Sequence, residues 1–279
     1  MFINNRVIHK DATVFTDISA LLSDPYMGEQ ALAVVAADDA LYLGSDLPFN
    51  HRFLMLGKKN TISGTVSVAI WTGSAFTAAE DVQDFTALGG VPFARNGLLR
   101  WTLPKNVGWA SVYDSSDIEE LEDLKSKANF WVKITFSAAF DFELKYVGFR
   151  FARDADLRTY YRDLLTERVM QAVNGGVPMK DWDAFHVVAA EEIIRDLRAQ
   201  QIVFSGNQIL NPETFQDAAC HKLAEMAYSN LSNEDRLEFA QGKYRQAMSK
   251  MVFDVDKDGD GRLESIEKQD AYAGRLLRT

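Results

Sequence analysis

The residues best suited to chemistry lie near the C-terminus, in the run Asp256-Lys257-Asp258-Gly259-Asp260-Gly261-Arg262-Leu263-Glu264-Ser265-Ile266-Glu267. Oxygen donors stand at positions 1, 3, 5, 7, 9 and 12 of a twelve-residue loop, which is the spacing of an EF-hand. Asp256, Asp258 and Asp260 offer carboxylates at the first three, and Gly261 at position 6 permits the sharp turn. Arg262 would contribute its main-chain carbonyl, Glu264 binds directly or through water, and Glu267 closes the shell with both oxygens. Hard oxygen ligands in that number suit calcium better than a transition metal. A frame beginning at Asp254 places Ser265 at position 12 and is the weaker choice. The plain alternative is an Asp/Gly-rich surface turn that holds no ion. Sensor loops of this kind work in pairs. Only one loop is present, followed by twelve residues, so the expected role is a static ion stitching the tail to the preceding helix.

No other group of residues suggests a reaction. Cys220 and His221 are adjacent, but neighbours on a helix point about 100° apart and cannot form a nucleophile–base pair. His186 stands between Phe185 and Val187, where a satisfied, partly buried imidazole is the simpler reading. His9 and His51 have no evident partner in sequence. There is no phosphate-cradling loop, no His-Glu-x-x-His and no nucleophile elbow. The expectation is a non-enzyme with no catalytic residues.

The elements that must hold the loop are helical. A first helix is expected from Leu157 to Val173, stopped by Asn174-Gly175-Gly176, residues that accept a positive φ. A second begins near Asp181, with Trp182, Phe185, Ala189, Ile193 and Leu197 on one face. A third has Asn211 at its N-cap and Pro212 at N1, with Phe215, Ala219, Leu223 and Met226 facing inward. A fourth opens on Ser232-Asn233-Glu234-Asp235, a capping-box pattern, and runs to about Phe253. A further helix from Ser265 onward would complete a helix–loop–helix.

Before these helices the period is two. Val66, Val68 and Ile70 alternate with polar or small residues, as do Leu99, Trp101 and Leu103, and Val132, Ile134 and Phe136. Turn signals such as Gly89-Gly90 and Arg95-Asn96-Gly97 separate the runs. Val14 and Phe15 suggest a short strand, Ile18 to Leu22 a helical turn, and Asp117 to Asp123 an exposed acidic loop or short helix. Four tryptophans (Trp71, Trp101, Trp109 and Trp131) fall in this half. They either fill the space between two sheets or form a platform that stacks on sugars; Trp71 and Trp131 are out of phase with the aliphatic residues on their strands. The fold class is therefore α+β in two domains: an N-terminal antiparallel β-sandwich, then an all-α domain ending in an EF-hand-like helix–loop–helix. The expected divisions are 1–155, 156–253 and 254–279, with the β-domain sharing no residues with the calcium loop.

Charge and cysteine content exclude some roles. The net charge is −10. Residues 1–155 carry 14 basic and 19 acidic side chains, and residues 156–279 carry 16 and 21. Neither half is basic enough to grip nucleic acid through its phosphates. The single cysteine, Cys220, rules out an intrachain disulfide. The apolar run from Ala31 to Ala37 is too short to span a bilayer, and Met1 to Arg6 does not open a signal peptide, so no membrane role is expected.

The helical block resembles the head–tail connector (adaptor) proteins of tailed bacteriophages. The resemblance rests on Trp182 to Gln200 with Glu191-Glu192-Ile193-Ile194-Arg195-Asp196-Leu197, on Asn211-Pro212-Glu213 opening a helix that ends Ala227-Tyr228, and on Arg236 to Met251 with Tyr244, Ala247 and Met248. The Asp-rich turn Asp256 to Gly261 is similar to one such proteins carry; a full EF-hand loop goes beyond it. Leu41 to Asp46 and Pro48-Phe49-Asn50 resemble β-domains of virion neck components. The resemblance implies a structural subunit, assembled in the host cytoplasm and located in the virion neck. It would form a homo-oligomeric ring, typically a dodecamer, beneath the portal protein and above the next neck or tail-completion protein. Genomic DNA would pass through without sequence-specific binding. The competing reading is a carbohydrate-binding β-sandwich with a calcium-stabilised helical appendage.

Overall fold

The computed structural model describes residues 5–27, 30–34, 39–112, 122, 124, 130–251, 254–258 and 260–262. The chain is α+β, with two antiparallel sheets and five α-helices among these residues. It divides into two compact units: residues 1–148 with 258–262, and residues 149–257 with 263–279. The change of period read at Arg153 to Asp156 thus falls within the second unit, because Phe149, Phe151 and Ala152 already pack in the helical core. Residues 258–262 belong to the first unit, contrary to the expectation that the β-rich half shares nothing with the acidic loop.

The strands of the first unit are β1 (Arg6–Asp11), β2 (Val14–Asp17), β3 (Gln30–Val34), β4 (Ala40–Ser45), β5 (His51–Lys58) and β6 (Val66–Trp71). They continue with β7 (Phe76–Ala78), β8 (Glu80–Asp84), β9 (Gly97–Thr102), β10 (Phe130–Phe136) and β11 (Phe140–Gly148). One sheet runs β2-β1-β4-β10-β6-β7 and the other β3-β11-β5-β9-β8. The alternation of each strand sends one set of side chains inward. Leu41 and Leu43, Val68 and Ile70, and Val132 and Ile134 come from the first sheet. They share one core with Leu54, Leu99, Trp101, Phe142 and Leu144 of the second. Trp71 and Trp131, out of phase with their aliphatic neighbours, lie on the opposite side of the first sheet. There they are buried with Ile8, Tyr42, Val112 and Leu124, so they are packing groups and not an open platform. Trp131 also explains Gly44: a Cβ there would lie 2.7 Å from the indole.

At Ile18 a single helical hydrogen bond forms, Leu22 N–H to Ile18 O at 3.2 Å, as the sequence suggested. Of the acidic stretch Asp117 to Asp123, all but Glu122 lies outside the described residues.

A buried arginine and a neutral histidine sit side by side in this unit. Arg52 is 1% exposed, stacks its guanidinium 3.7 Å above the Phe49 ring and donates from Nη1 to the His51 carbonyl at 2.7 Å. His51 has its Nδ1 2.8 Å from Asn50 Oδ1. Burial first, and then the charges of Arg52 and Arg100, push the His51 pKa down to about 3.

The helices of the second unit are α1 (Asp154–Tyr160), α2 (Glu167–Val173), α3 (Asp183–Ala199), α4 (Gln216–Asn230) and α5 (Glu234–Lys250). The helix expected from Leu157 to Val173 is broken. Tyr161 sits at φ −138° and a short 3₁₀ turn, Arg162–Leu165, separates α1 from α2. No Gly or Pro marks the break, since tertiary contacts impose it: the buried Tyr161 hydroxyl lies 2.9 Å from His221 Nδ1, and Trp182 Nε1–H donates to Leu164 O at 3.2 Å. The stop at Asn174-Gly175-Gly176 holds, with φ of 63° and 89° at the glycines. All five residues assigned to the inner face of the second helix are buried on or beside α3. Pro212 opens a 3₁₀ turn, Pro212–Phe215, that leads into α4. At the start of α5 the cap is Asn233, whose Oδ1 accepts from Arg236 N–H at 3.2 Å. Ser232, expected in that role, has φ 53° and cannot cap from there. The helix ends at Lys250, and residues 252–253 lie outside the description.

A histidine with a folded pKa below its ordinary 6.5 binds fewer protons folded than unfolded. Its neutral burial is fully tolerated above about pH 6.5, and stability falls as pH drops from there toward 3, by up to about 1.4 kcal/mol per pH unit for one group. Urea midpoints from pH 7.5 to 4.5 should fall more steeply in the wild type than in His51→Gln. Parallel slopes would show that His51 protonates freely in the folded chain.

Candidate metal centre

The acidic loop starts from a fixed point. Val255 forms an antiparallel bridge with Ile209. The next residue, Asp256, donates its N–H to Gln208 O at 3.1 Å, and its carbonyl accepts from Gln208 Nε2 at 2.9 Å. Gln208 belongs to a 3₁₀ turn, Gly206–Gln208, closed by a capping box with Ser205. Asp256 is consequently 1% exposed, which is costly for a carboxylate unless a cation or several donors compensate. Asp254 Oδ2 accepts from Asn211 Nδ2 at 2.8 Å, so this residue braces the start of the third helical segment instead of opening a second loop frame.

Beyond Asp256 the chain folds through two turns of the same kind. Asp260 N–H donates to Asp258 Oδ1 at 3.2 Å, and Arg262 N–H donates to Asp260 Oδ1 at 2.7 Å. Gly261, between them, has φ +80°, and a Cβ there would also lie 2.7 Å from Trp109 Nε1. Glycine is thus required both by the turn and by the indole. One ligand oxygen from each of Asp256, Asp258 and Asp260 lies within 4.8 Å of the others. Calcium–oxygen distances of 2.3–2.6 Å put opposed ligand oxygens up to about 5 Å apart, so the three carboxylates are spaced as ligands of one such ion. Three like charges this close repel one another unless a cation stands among them. Glu264 and Glu267 lie outside the described residues.

The seventh loop position has a second task that the sequence did not reveal. Arg262 Nη2 donates to the carbonyls of Pro104 at 2.7 Å, Lys105 at 3.1 Å and Val107 at 2.7 Å, more than 150 residues away in the chain. Beside it an open cavity of about 570 Å³ is lined by Trp109, Phe130, Lys105, Asn106 and Asp260. No short-range pattern links Arg262 to residues 104–107, which explains why it was missed.

The four histidines and the cysteine are held in structural settings. His186 is fully buried, with Nε2 3.1 Å from Asp154 Oδ1, and the same carboxylate accepts from Trp182 N–H. Burial lowers the pKa of His221 and of His9. Burial, with Asp156 and Asp217 behind it, pushes the Cys220 thiol up to about 12, so almost no thiolate is present at neutral pH.

Comparison with protein families, with curated proteins and with solved structures finds no match to this chain. No helix among the described residues is long and apolar enough to cross a membrane.

Replacing Arg262 by Ala removes a charged donor from three carbonyls. The first unit should lose on the order of 1–2 kcal/mol, read by urea unfolding in calcium-free buffer through the buried Trp71, Trp101 and Trp131. An unchanged midpoint would mean that water replaces the guanidinium without penalty.

Proposed function

We propose that this chain is a structural virion protein of a tailed bacteriophage: a head–tail connector (adaptor) subunit that forms a ring beneath the portal and joins capsid to tail around a DNA channel. The resemblance of the helical block supports the class. The observation that carries assembly is the surface of that block, where Phe204 is 79% and Phe239 52% exposed although the core beneath them is complete. A subunit that assembles with copies of itself needs exposed apolar side chains to bury, and these two rings supply them on this unit. The net charge of −10 suits a channel wall that DNA slides past, because a wall without excess Lys and Arg does not hold phosphate. The role is non-enzymatic. The inert thiol and the buried, hydrogen-bonded or desolvated imidazoles favour that reading over catalysis.

Electron microscopy of the purified protein, alone and mixed with the portal of its own phage, tests the reading. Rings of uniform diameter in either sample are expected, dodecameric by class averaging. Monomers in both would sink it.

The competing glycan-binding reading has one observation in its favour, the open cavity carrying Trp109 and Phe130 beside polar groups. Retention on immobilised polysaccharide by a strict monomer would select it.

Calcium is proposed as a structural ion on Asp256, Asp258, Asp260 and the Arg262 carbonyl, with Glu264 and Glu267 completing the shell. Free calcium at a hundred times its dissociation constant would stabilise the chain by about 2.7 kcal/mol. Because residues 258–262 lie in the first unit, its unfolding should respond. Melting with calcium against melting with chelator should differ in the wild type and coincide in Asp256→Ala/Asp260→Asn. Equal shifts in both proteins would leave the loop an acidic turn.

A further inference from the structure

Asparagine stands directly before glycine twice in this chain, at Asn96-Gly97 and at Asn174-Gly175. In such a pair the glycine nitrogen, once it has lost its proton, can attack Cγ of the asparagine side chain. Glycine has no Cβ to obstruct the approach. A bond forms between the glycine nitrogen and Cγ and closes a five-membered imide, while Nδ2 takes up a proton and leaves as ammonia. Water then opens the ring at one of its two carbonyls. The product is aspartate or, where the main chain now runs through the side chain, isoaspartate. One water enters and one ammonia leaves, nothing is oxidised or reduced, and no further reactant is required.

The two pairs have opposite settings. Asn96 Oδ1 accepts from Leu56 N–H at 2.9 Å, and Gly97 opens β9 in register with Leu54 of β5. Gly97 is buried, and a Cβ there would lie 2.4 Å from Phe85 O, so main chain from another segment closes over it. An imide can form at Asn96 only if this end of the β5–β9 pairing opens. Core strands open at a cost close to that of global unfolding.

Asn174 caps α2, a helix of only seven residues that cannot hold itself without its packing. Gly175, Gly176 and Val177 are exposed, and a Cβ at Gly175 would meet nothing within 4 Å. Gly175 N–H donates to Ala172 O at 3.3 Å, and Asn174 Nδ2 donates to Val177 O at 3.2 Å. Two bonds between Gln171 and Gly176, each 2.8 Å, cross the same exposed turn. All of these lie at a helix end open to solvent, where local opening costs least.

We propose that Asn174 is a deamidation site of the folded protein, that Asn96 is protected by its sheet, and that the change at position 174 loosens the end of α2. The new carboxylate would stand at the C-terminus of that helix, where unpaired carbonyls already carry partial negative charge. It would also lack the N–H that Asn174 gives to Val177 O. Met170 and Val173, the buried residues of α2, are held by this turn.

The test incubates the full-length protein in mildly alkaline buffer, folded and in urea, and follows the two peptides by digestion and mass spectrometry. In the folded sample the Asn174 peptide should convert to aspartate and isoaspartate at least about tenfold faster than the Asn96 peptide. That ratio needs a difference of only about 1.4 kcal/mol in opening cost. In urea the two peptides should convert at similar rates. Asn174→Gln, which would have to close a larger ring, should stay unmodified at that peptide. Asn174→Asp should have a lower urea midpoint than the wild type. Folded protein in which the two peptides convert together, or in which neither converts while both do in urea, overturns the site. An Asn174→Asp protein as stable as the wild type overturns the loosening of α2.

Discussion

The side chain of Gln208 is the interaction on which the turn before α4 and the start of the acidic loop depend. It is 5% exposed, and its amide is used on both sides. Oε1 accepts from Phe204 and Ser205, while Nε2 donates to Asp256 O, and the Gln208 main-chain carbonyl accepts from Asp256 N–H. An amide oxygen has two lone pairs, and both are occupied here. An apolar side chain of similar size would leave several buried polar groups without partners, each worth about 1–3 kcal/mol. This single residue orients the exposed Phe204 ring and also sets the backbone from which the first carboxylate of the acidic loop projects. The start of the acidic loop and the turn that carries Phe204 therefore share one support.

The sequence was most legible where the physics is local. The period-two runs at Val66, Leu99 and Val132 became strands of two sheets with one shared core, because alternation alone decides which side chains face inward. The inner face of α3 was equally plain from its spacing. What could not be read was imposed from a distance. The break at Tyr161 has no sequence punctuation; it exists because the tyrosine must reach His221 and Trp182 must reach Leu164. Ser232 and Asn233 are both good caps by type, and the positive φ of Ser232 alone decides for Asn233. At the loop, the ligand spacing told which carboxylates would converge, and three of them do. It said nothing of the Arg262 anchor or of why position 6 must be glycine twice over, since both depend on residues 104–109.

Charged and titratable groups in the core share one logic. Arg52 keeps its charge although burial lowers its pKa to about 9, because the Phe49 face and the His51 carbonyl replace part of the lost hydration. His51 takes the opposite course and stays neutral beside it. In the helical unit Arg150 Nη1 meets Asp183 Oδ1 at 2.7 Å with both side chains nearly buried. The Asp154 carboxylate gathers Trp182 N–H and His186 at the start of α3. Such groups fix which surfaces meet more than they add to stability, since desolvation offsets most of the attraction of a buried pair. Their settings are enclosed, and several are hydrogen-bonded.

Net charge also sets how copies of the chain meet in solution. Each carries a net charge of −10, so copies approaching one another are repelled over about a Debye length, some 8 Å at physiological ionic strength. Apolar contact, by comparison, acts only at short range and does not weaken with salt. Long-range repulsion with short-range apolar attraction disfavours association in dilute solution and permits it where a template holds neighbours in place. For a chain this acidic, association in solution occurs only where apolar contact outweighs the repulsion between copies.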